Sequence, residues 1–127
     1  MITKIELSAK VTKVLIIDDD HNFLKFLQET LETKGFAVRS LAQHKLINEY
    51  IESFKPDLIL LDIKLDDKDG RLICNDLKAK SVTEHIPIIL ITGLSYNEIS
   101  EIDCTADTIL GKPFSIANLL RTINDLL

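Results

Sequence analysis

The chain reads as an α/β domain, a five-stranded, doubly wound parallel sheet with helices on both faces. Three observations lead there. Short continuous apolar runs, among them Val14-Leu15-Ile16-Ile17, Leu58-Ile59-Leu60-Leu61 and Ile88-Ile89-Leu90-Ile91, have the length and composition of strands buried on both sides. Longer segments with apolar residues at helical spacing separate them. Alternation of this kind implies right-handed crossovers and a parallel sheet.

Composition narrows the class further. With 127 residues the chain suits one domain with a single core. Its formal net charge of -5 argues against direct nucleic-acid binding, which needs a clustered basic surface. No apolar run approaches the roughly 20 residues needed to span a bilayer, so no membrane partner is expected. The first residues carry a glutamate among apolar side chains and no long hydrophobic core of a signal peptide. Cys74 and Cys104 lack metal-ligand spacing, and Cys74 lies in an apolar helical pattern as a small buried hydrophobe would. Nothing demands an oxidising compartment, so a cytoplasmic location is expected.

Residues 1–12 show no clear period and stand as an unassigned N-terminal extension; the domain is expected over 13–127. The first strand, 14–17, stops at Asp18-Asp19-Asp20. Phe23, Leu24, Leu27 and Leu31 mark a helix over 22–34, with Gly35 as its C-terminal cap. Residues 36–40 alternate as a more exposed strand would, and Leu46, Ile47, Tyr50, Ile51 and Phe54 form the stripe of a helix between 43 and 54. Pro56 blocks further helix and introduces the strand that ends at Asp62. After Gly70, Leu72, Ile73 and Leu77 mark a third helix, and 86–91 is the fourth strand with Pro87 at its entrance. Ser95 and Glu98 have capping-box spacing for a short helix. Residues 107–110 form a modest last strand, and Ser115 caps a helix with Ile116, Leu119, Leu120, Ile123 and Leu126 on one face.

The polar residues at the carboxyl ends of these strands are the functional signal. They are Asp18 and Asp19, Asp62, Thr92 and Lys112. In a parallel sheet these ends share one edge, where ligands of open α/β sheets collect. Carboxylates a few ångströms apart repel by about 4 kcal/mol per pair at an effective dielectric near 20. A cation relieves that, and an oxygen-only donor set favours Mg²⁺, with Mn²⁺ as an alternative. Aspartate can serve as an acyl-phosphate-forming nucleophile. A divalent ion, a lysine and a hydroxyl around it supply the charge neutralisation and positioning of phosphoryl transfer.

Leu15-Ile16-Ile17-Asp18-Asp19-Asp20, Pro56-Asp57-Leu58-Ile59-Leu60-Leu61-Asp62-Ile63-Lys64-Leu65, Asp69-Gly70, Ile91-Thr92-Gly93 and Lys112-Pro113-Phe114 together resemble the receiver domain of two-component response regulators, the CheY-like superfamily. The resemblance implies the flavodoxin-like strand order 2-1-3-4-5. It also implies that Asp62 is the phosphoacceptor. Asp19 and Asp62 would ligate Mg²⁺ directly, Asp18 through water, and the Lys64 main-chain carbonyl would complete the set. Thr92 would hydrogen-bond the phosphoryl group, Lys112 would pair with its oxygens, and the Lys112–Pro113 peptide would be cis. A histidine kinase or histidine phosphotransfer protein would supply the phosphoryl group, and an unidentified protein would read the result. Such a domain is not an enzyme in the usual sense; it assists only its own phosphorylation and dephosphorylation.

The chain departs from that pattern in places. Ile109 stands where the family usually carries a switch aromatic, and Thr105-Ala106-Asp107-Thr108 replaces the usual Gly-Ala-Asp-Asp. The stretch from Thr92 to Lys112 is shorter than is common, and Asp66 takes the place of the usual proline. The chain ends just past the last helical stripe, so no attached output domain is expected and signalling would run through protein contacts. A metal-dependent phosphatase with an aspartyl nucleophile is the alternative, but it needs an acid–base aspartate close after the nucleophile, where Ile63 and Lys64 stand. A receiver-like module that is never phosphorylated is the other, and the complete five-residue set argues against it.

Overall fold

Apolar side chains alternate along every central strand, and that alternation builds two cores. In the computed structural model, which describes residues 10–127, five parallel strands take the order β2-β1-β3-β4-β5. They are β1 (Lys13–Ile17), β2 (Ala37–Leu41), β3 (Leu58–Asp62), β4 (Ile88–Thr92) and β5 (Thr108–Gly111). The helices are α1 (His21–Thr33), α2 (Ile47–Phe54), α3 (Gly70–Lys78), α4 (Tyr96–Ser100) and α5 (Ile116–Leu126). Val14, Ile16, Leu58, Leu60, Ile89 and Ile91 face Leu24, Leu27 and Leu31 of α1 and Leu119 and Ile123 of α5. Leu15, Ile17, Ile59, Leu61, Ile88 and Leu90 face Ile47 and Ile51 of α2 and Ile73, Cys74 and Leu77 of α3. The doubly wound sheet and its strand order are as expected.

Local sequence explains where the helices start and stop. Asp20, Asp69, Ser95 and Ser115 each accept a backbone N–H in the first turn of the helix that follows, the usual work of an N-cap. Ser95 and Glu98 complete a reciprocal capping box. At the other end of α1, Gly35 adopts φ +94°, and the N–H groups of Gly35 and Phe36 return to the carbonyls of Glu32 and Leu31 at 3.1 and 3.2 Å. That left-handed position favours glycine because a Cβ would crowd the backbone.

Several details differ from expectation, among them two element starts and one helix face. The helix expected from residue 43 opens as a 3₁₀ turn, His44–Leu46, capped by the Gln43 side chain on Lys45 N–H at 3.2 Å. The last strand begins at Thr108, because the Asp107 carboxylate accepts Ile88 N–H at 2.7 Å and Lys78 Nζ at 2.8 Å and so braces the strand entrance. The buried face of α3 is Gly70, Arg71, Ile73, Cys74 and Leu77, whereas Leu72 is 44% exposed. Spacing of i, i+3, i+4, i+7 from Gly70 describes that face and excludes Leu72. The expectation for residues 1–12 falls mostly on residues 1–9, outside the described ones; Thr12 accepts the N–H of Ala37 at 2.9 Å and leads into the sheet.

Polar side chains of α3 tie down the short α4 and the segment before β5. Arg71 is 5% exposed; its Nε and one terminal nitrogen clasp the Asp69 carboxylate at 3.0 and 2.7 Å. Its other terminal nitrogen donates to the carbonyls of Glu98 and Ile99 at 2.7 and 3.0 Å. One turn on, Asn75 donates to the Asp103 carbonyl and accepts from Thr105 N–H, at 2.8 and 2.9 Å. A five-residue helix is too short to hold itself in water, so these bonds are what place it.

Candidate functional site

Strand register brings the polar ends together. Ile17 pairs with Leu61, so Asp18 and Asp62 each follow a matched pair on adjacent strands. Asp62 pairs with Ile91, which puts Thr92 one step along β4, and Thr92 pairs with Gly111, immediately before Lys112. Lys112 N–H donates to the Thr92 carbonyl at 2.6 Å, fixing the start of the loop that carries it. The Lys112–Pro113 peptide is cis, as expected.

The result is a compact charged cluster. One carboxylate oxygen from each of Asp18, Asp19 and Asp62 lies within 4.8 Å of the others. Asp18 and Asp62 are buried, Asp19 half-buried. Lys112 Nζ stands 2.9 Å from Asp18 Oδ2 and 3.8 Å from Asp62 Oδ2, bridging the two strands. Asp18 also accepts the N–H of Asp20 at 2.9 Å, and the Lys64 N–H reaches toward Asp62 Oδ1 at 3.4 Å. The Thr92 hydroxyl oxygen accepts Leu94 N–H at 2.8 Å, which leaves its own proton to donate elsewhere. All five strand-end residues singled out in the sequence therefore meet at one edge.

Electrostatics agree with the geometry. Burial pushes the Asp62 carboxyl up to about 6, helped by the charge of Asp18, while Lys112 and the Lys64 N–H offset part of the rise. Asp19 is raised as well, first by burial and then by its contact with the Asp66 carboxylate and the charge of Asp18. Like charges held this close favour a bound cation. Three hard oxygen donors with no histidine or thiolate among them fit Mg²⁺ or Mn²⁺ rather than a softer metal. Asp66, in the position the family usually gives to proline, adds a fourth acid to the rim, a feature the sequence alone did not attach to the site.

The loop after β3 closes tightly beneath Asp62. Gly70 N–H donates to the Ile63 carbonyl at 2.6 Å, and Leu65 N–H to the Lys68 carbonyl at 3.2 Å, so the Lys64 carbonyl takes no part in those bonds. A Cβ on Gly70 would be built into the Asp62 carbonyl and would stand 2.9 Å from Ile63 Cα. Only glycine allows α3 to begin so near the end of β3. Lys64 is exposed and Leu94 half-buried, and both line a cleft of about 300 Å³ that Arg71 and Glu98 complete.

One further side chain touches the site, and a second backs it. The Phe23 ring lies under Lys112, 4.3 Å from Nζ to the ring centre, and meets Phe114 edge-on at 6.1 Å. Helical spacing marked Phe23 as a core residue, and nothing in the sequence linked it to Lys112. The histidines stand away from the cluster's contacts: His44 pairs with Asp67 at 2.9 Å, and His21 and His85 are exposed.

Comparison with known proteins identifies the class. A family model of the response regulator receiver domain matches residues 14–124, and the chain belongs to that family. The chain is similar to transcriptional regulatory protein GltR of Pseudomonas aeruginosa, 32% identical over 123 residues, covering 95% of this chain and 51% of GltR. It is also similar to response regulator ArlR of Staphylococcus saprophyticus, 35% identical over 119 residues, covering 92% of this chain and 53% of ArlR. The chain thus spans about half the length of these curated relatives. Among solved structures, the receiver domain of a signal transduction histidine kinase from Syntrophus aciditrophicus superposes with a TM-score of 0.84 at 27% identity, covering 92% of this chain and 90% of that one. Receiver domains are regulatory phosphoacceptor domains of two-component signalling rather than conventional enzymes. No helix among the described residues is long and apolar enough to cross a membrane.

Proposed function

We propose that this chain is a phosphorylation switch in which Asp62 accepts a phosphoryl group from a histidine kinase or a histidine phosphotransfer protein in the cytoplasm. The observation that carries the reading is the placement of Asp62. It is buried at the end of a central strand, beside two further carboxylates and within 3.8 Å of a lysine that also holds Asp18. The 13–127 segment is the receiver domain.

Asp18, Asp19, Asp62 and the Lys64 main-chain carbonyl would hold Mg²⁺, with Mn²⁺ able to replace it. The ion would supply positive charge opposite the phosphoryl oxygens. The remaining work falls to the chain. An oxygen of the ionised Asp62 carboxylate attacks phosphorus, an O–P bond forms, and the P–N bond to the donor imidazole breaks with its electron pair leaving on nitrogen. Charge spreads over the phosphoryl oxygens, and Lys112 Nζ is near enough to follow it from its place beside Asp62. The Thr92 hydroxyl donates its free proton to the same group. The product is a mixed anhydride that leaves Asp18 and Lys112 with a new doubly charged neighbour, and this change in local charge is the signal.

The readout passes through protein contacts on the face around α4 and β5. Ile109 is 39% exposed there, and α4 is held to α3 by Arg71. Incubation with phosphoramidate followed by a phosphate-affinity gel tests the reading. A retarded band that needs Mg²⁺ or Mn²⁺, vanishes with EDTA and forms more slowly in Lys112→Met is the expected result. A divalent-independent band, or none, would overturn it.

A further inference from the structure

Among the described residues the Lys112 ammonium has three partners, two of them carboxylates. The third is the face of Phe23, with Nζ 4.3 Å from the ring centre, inside the range in which a ring quadrupole attracts a cation. The ring itself is held. The backbone N–H of Phe23 donates to the Asp20 carboxylate at 3.1 Å, and the ring packs against the core with its edge meeting the Phe114 ring at 87°. From this geometry we infer that Phe23 is the positioning residue for Lys112, and so sets where the ammonium stands during phosphoryl transfer to Asp62. The inference rests on the reading of Asp62 as the phosphoacceptor.

The physical need is plain. A lysine carries a compact charge on a flexible four-carbon stem, and its rotamer freedom must be restricted before it can hold one place. The Asp18 carboxylate restricts it in one direction, at 2.9 Å, and on its own would draw the ammonium away from Asp62. Attraction to Asp62, at 3.8 Å, changes the moment that carboxylate becomes an acyl phosphate. Attraction to the ring face does not change, because phenylalanine neither titrates nor reacts. Phe23 therefore gives Lys112 one contact that is the same before and after the reaction, and it opposes collapse onto Asp18. A leucine in its place would fill much of the same volume and keep the apolar packing but would lack the quadrupole.

The test is the initial rate of phosphorylation by phosphoramidate with Mg²⁺, followed by intact mass, in five chains: wild type, Phe23→Leu, Phe23→Tyr, Lys112→Met and Phe23→Leu combined with Lys112→Met, each variant against its own parent. Phe23→Leu is expected to slow the reaction about fivefold. Phe23→Tyr, which retains a ring face, restores most of the rate. In the Lys112→Met background Phe23→Leu makes no further difference. Proton–carbon correlation spectra of Lys112 provide a readout independent of the reaction: its ε-methylene protons carry an upfield ring-current shift that Phe23→Tyr keeps and Phe23→Leu abolishes. An unchanged rate in Phe23→Leu, or an equal slowing with and without Lys112, overturns the inference while leaving the reading of Asp62 standing. A wild type that accepts no phosphate overturns both.

Discussion

Replacing Asp62 by asparagine should make the metal-free protein more stable, and by an amount that depends on pH. The substitution keeps the shape of the side chain and removes its charge. In the wild type that charge is costly: burial and the nearby Asp18 raise the carboxyl from 3.8 to about 6, even with Lys112 and the Lys64 N–H offsetting part of the rise. A rise of about two units corresponds to roughly 3 kcal/mol at 1.36 kcal/mol per unit. The sign follows from proton binding. Between the unfolded value of 3.8 and the folded value near 6, the folded chain binds more protons than the unfolded one. Wild-type stability therefore falls as pH rises through that window, and the full cost is present above it. Asp62→Asn escapes the cost, so the two proteins should match below about pH 4 and differ by about 2–3 kcal/mol at pH 8, or roughly 10 °C in Tm. Urea unfolding followed by circular dichroism, with EDTA, at steps from pH 4 to 8 measures this directly. Added Mg²⁺ should then stabilise the wild type and leave the variant nearly unchanged. A gap that does not vary with pH, or a variant less stable than wild type at pH 8, would refute the reasoning.

Gly70→Ala should cost about 3 kcal/mol and weaken divalent binding, since its Cβ would collide with backbone of Asp62 and Ile63; unchanged chemical denaturation would contradict this. Arg71→Met removes four side-chain hydrogen bonds around a buried guanidinium and should lose about 2–3 kcal/mol, with faster amide exchange in α4. The Arg71 guanidinium holds Asp69 below the usual carboxylate range, so the pair's contribution is present above the unfolded value of 3.8 and fades as pH drops through the lowered one. The Arg71→Met deficit should shrink accordingly in acid. Burial pushes the Cys74 thiol up to about 12, so native protein at pH 8 should be labelled by a thiol reagent at half-buried Cys104 and not at Cys74; mass mapping of the labelled peptides decides it.

What was legible in the sequence divides along physical lines. The sheet could be read because β1, β3 and β4 are unbroken apolar runs, which only a position buried on both faces explains. The site could be read because Asp18-Asp19, Asp62 and Thr92 end or follow such runs, Lys112 follows the last strand, and parallel register carries all of them to one edge. The misreadings arise where a polar side chain does structural work. Arg71 is hard to place from sequence because a charged residue reads as solvated, although its spacing of three from Cys74 puts it on the buried face. Leu72 misleads for the converse reason, since an apolar residue beside Ile73 reads as core although it is exposed. Asp107 looked like strand and is a brace, and the partnership of Phe23 with Lys112 joins residues far apart along the chain that no periodicity connects.

The most direct test of the central claim is to locate a phosphoryl group on the chain. After incubation with acetyl phosphate or phosphoramidate and Mg²⁺, the intact mass of the wild type should rise by one phosphoryl group, and borohydride trapping followed by peptide mapping should place it on Asp62. Asp62→Asn should show no such gain. A wild type that gains nothing, or a gain that persists in Asp62→Asn, would contradict the account.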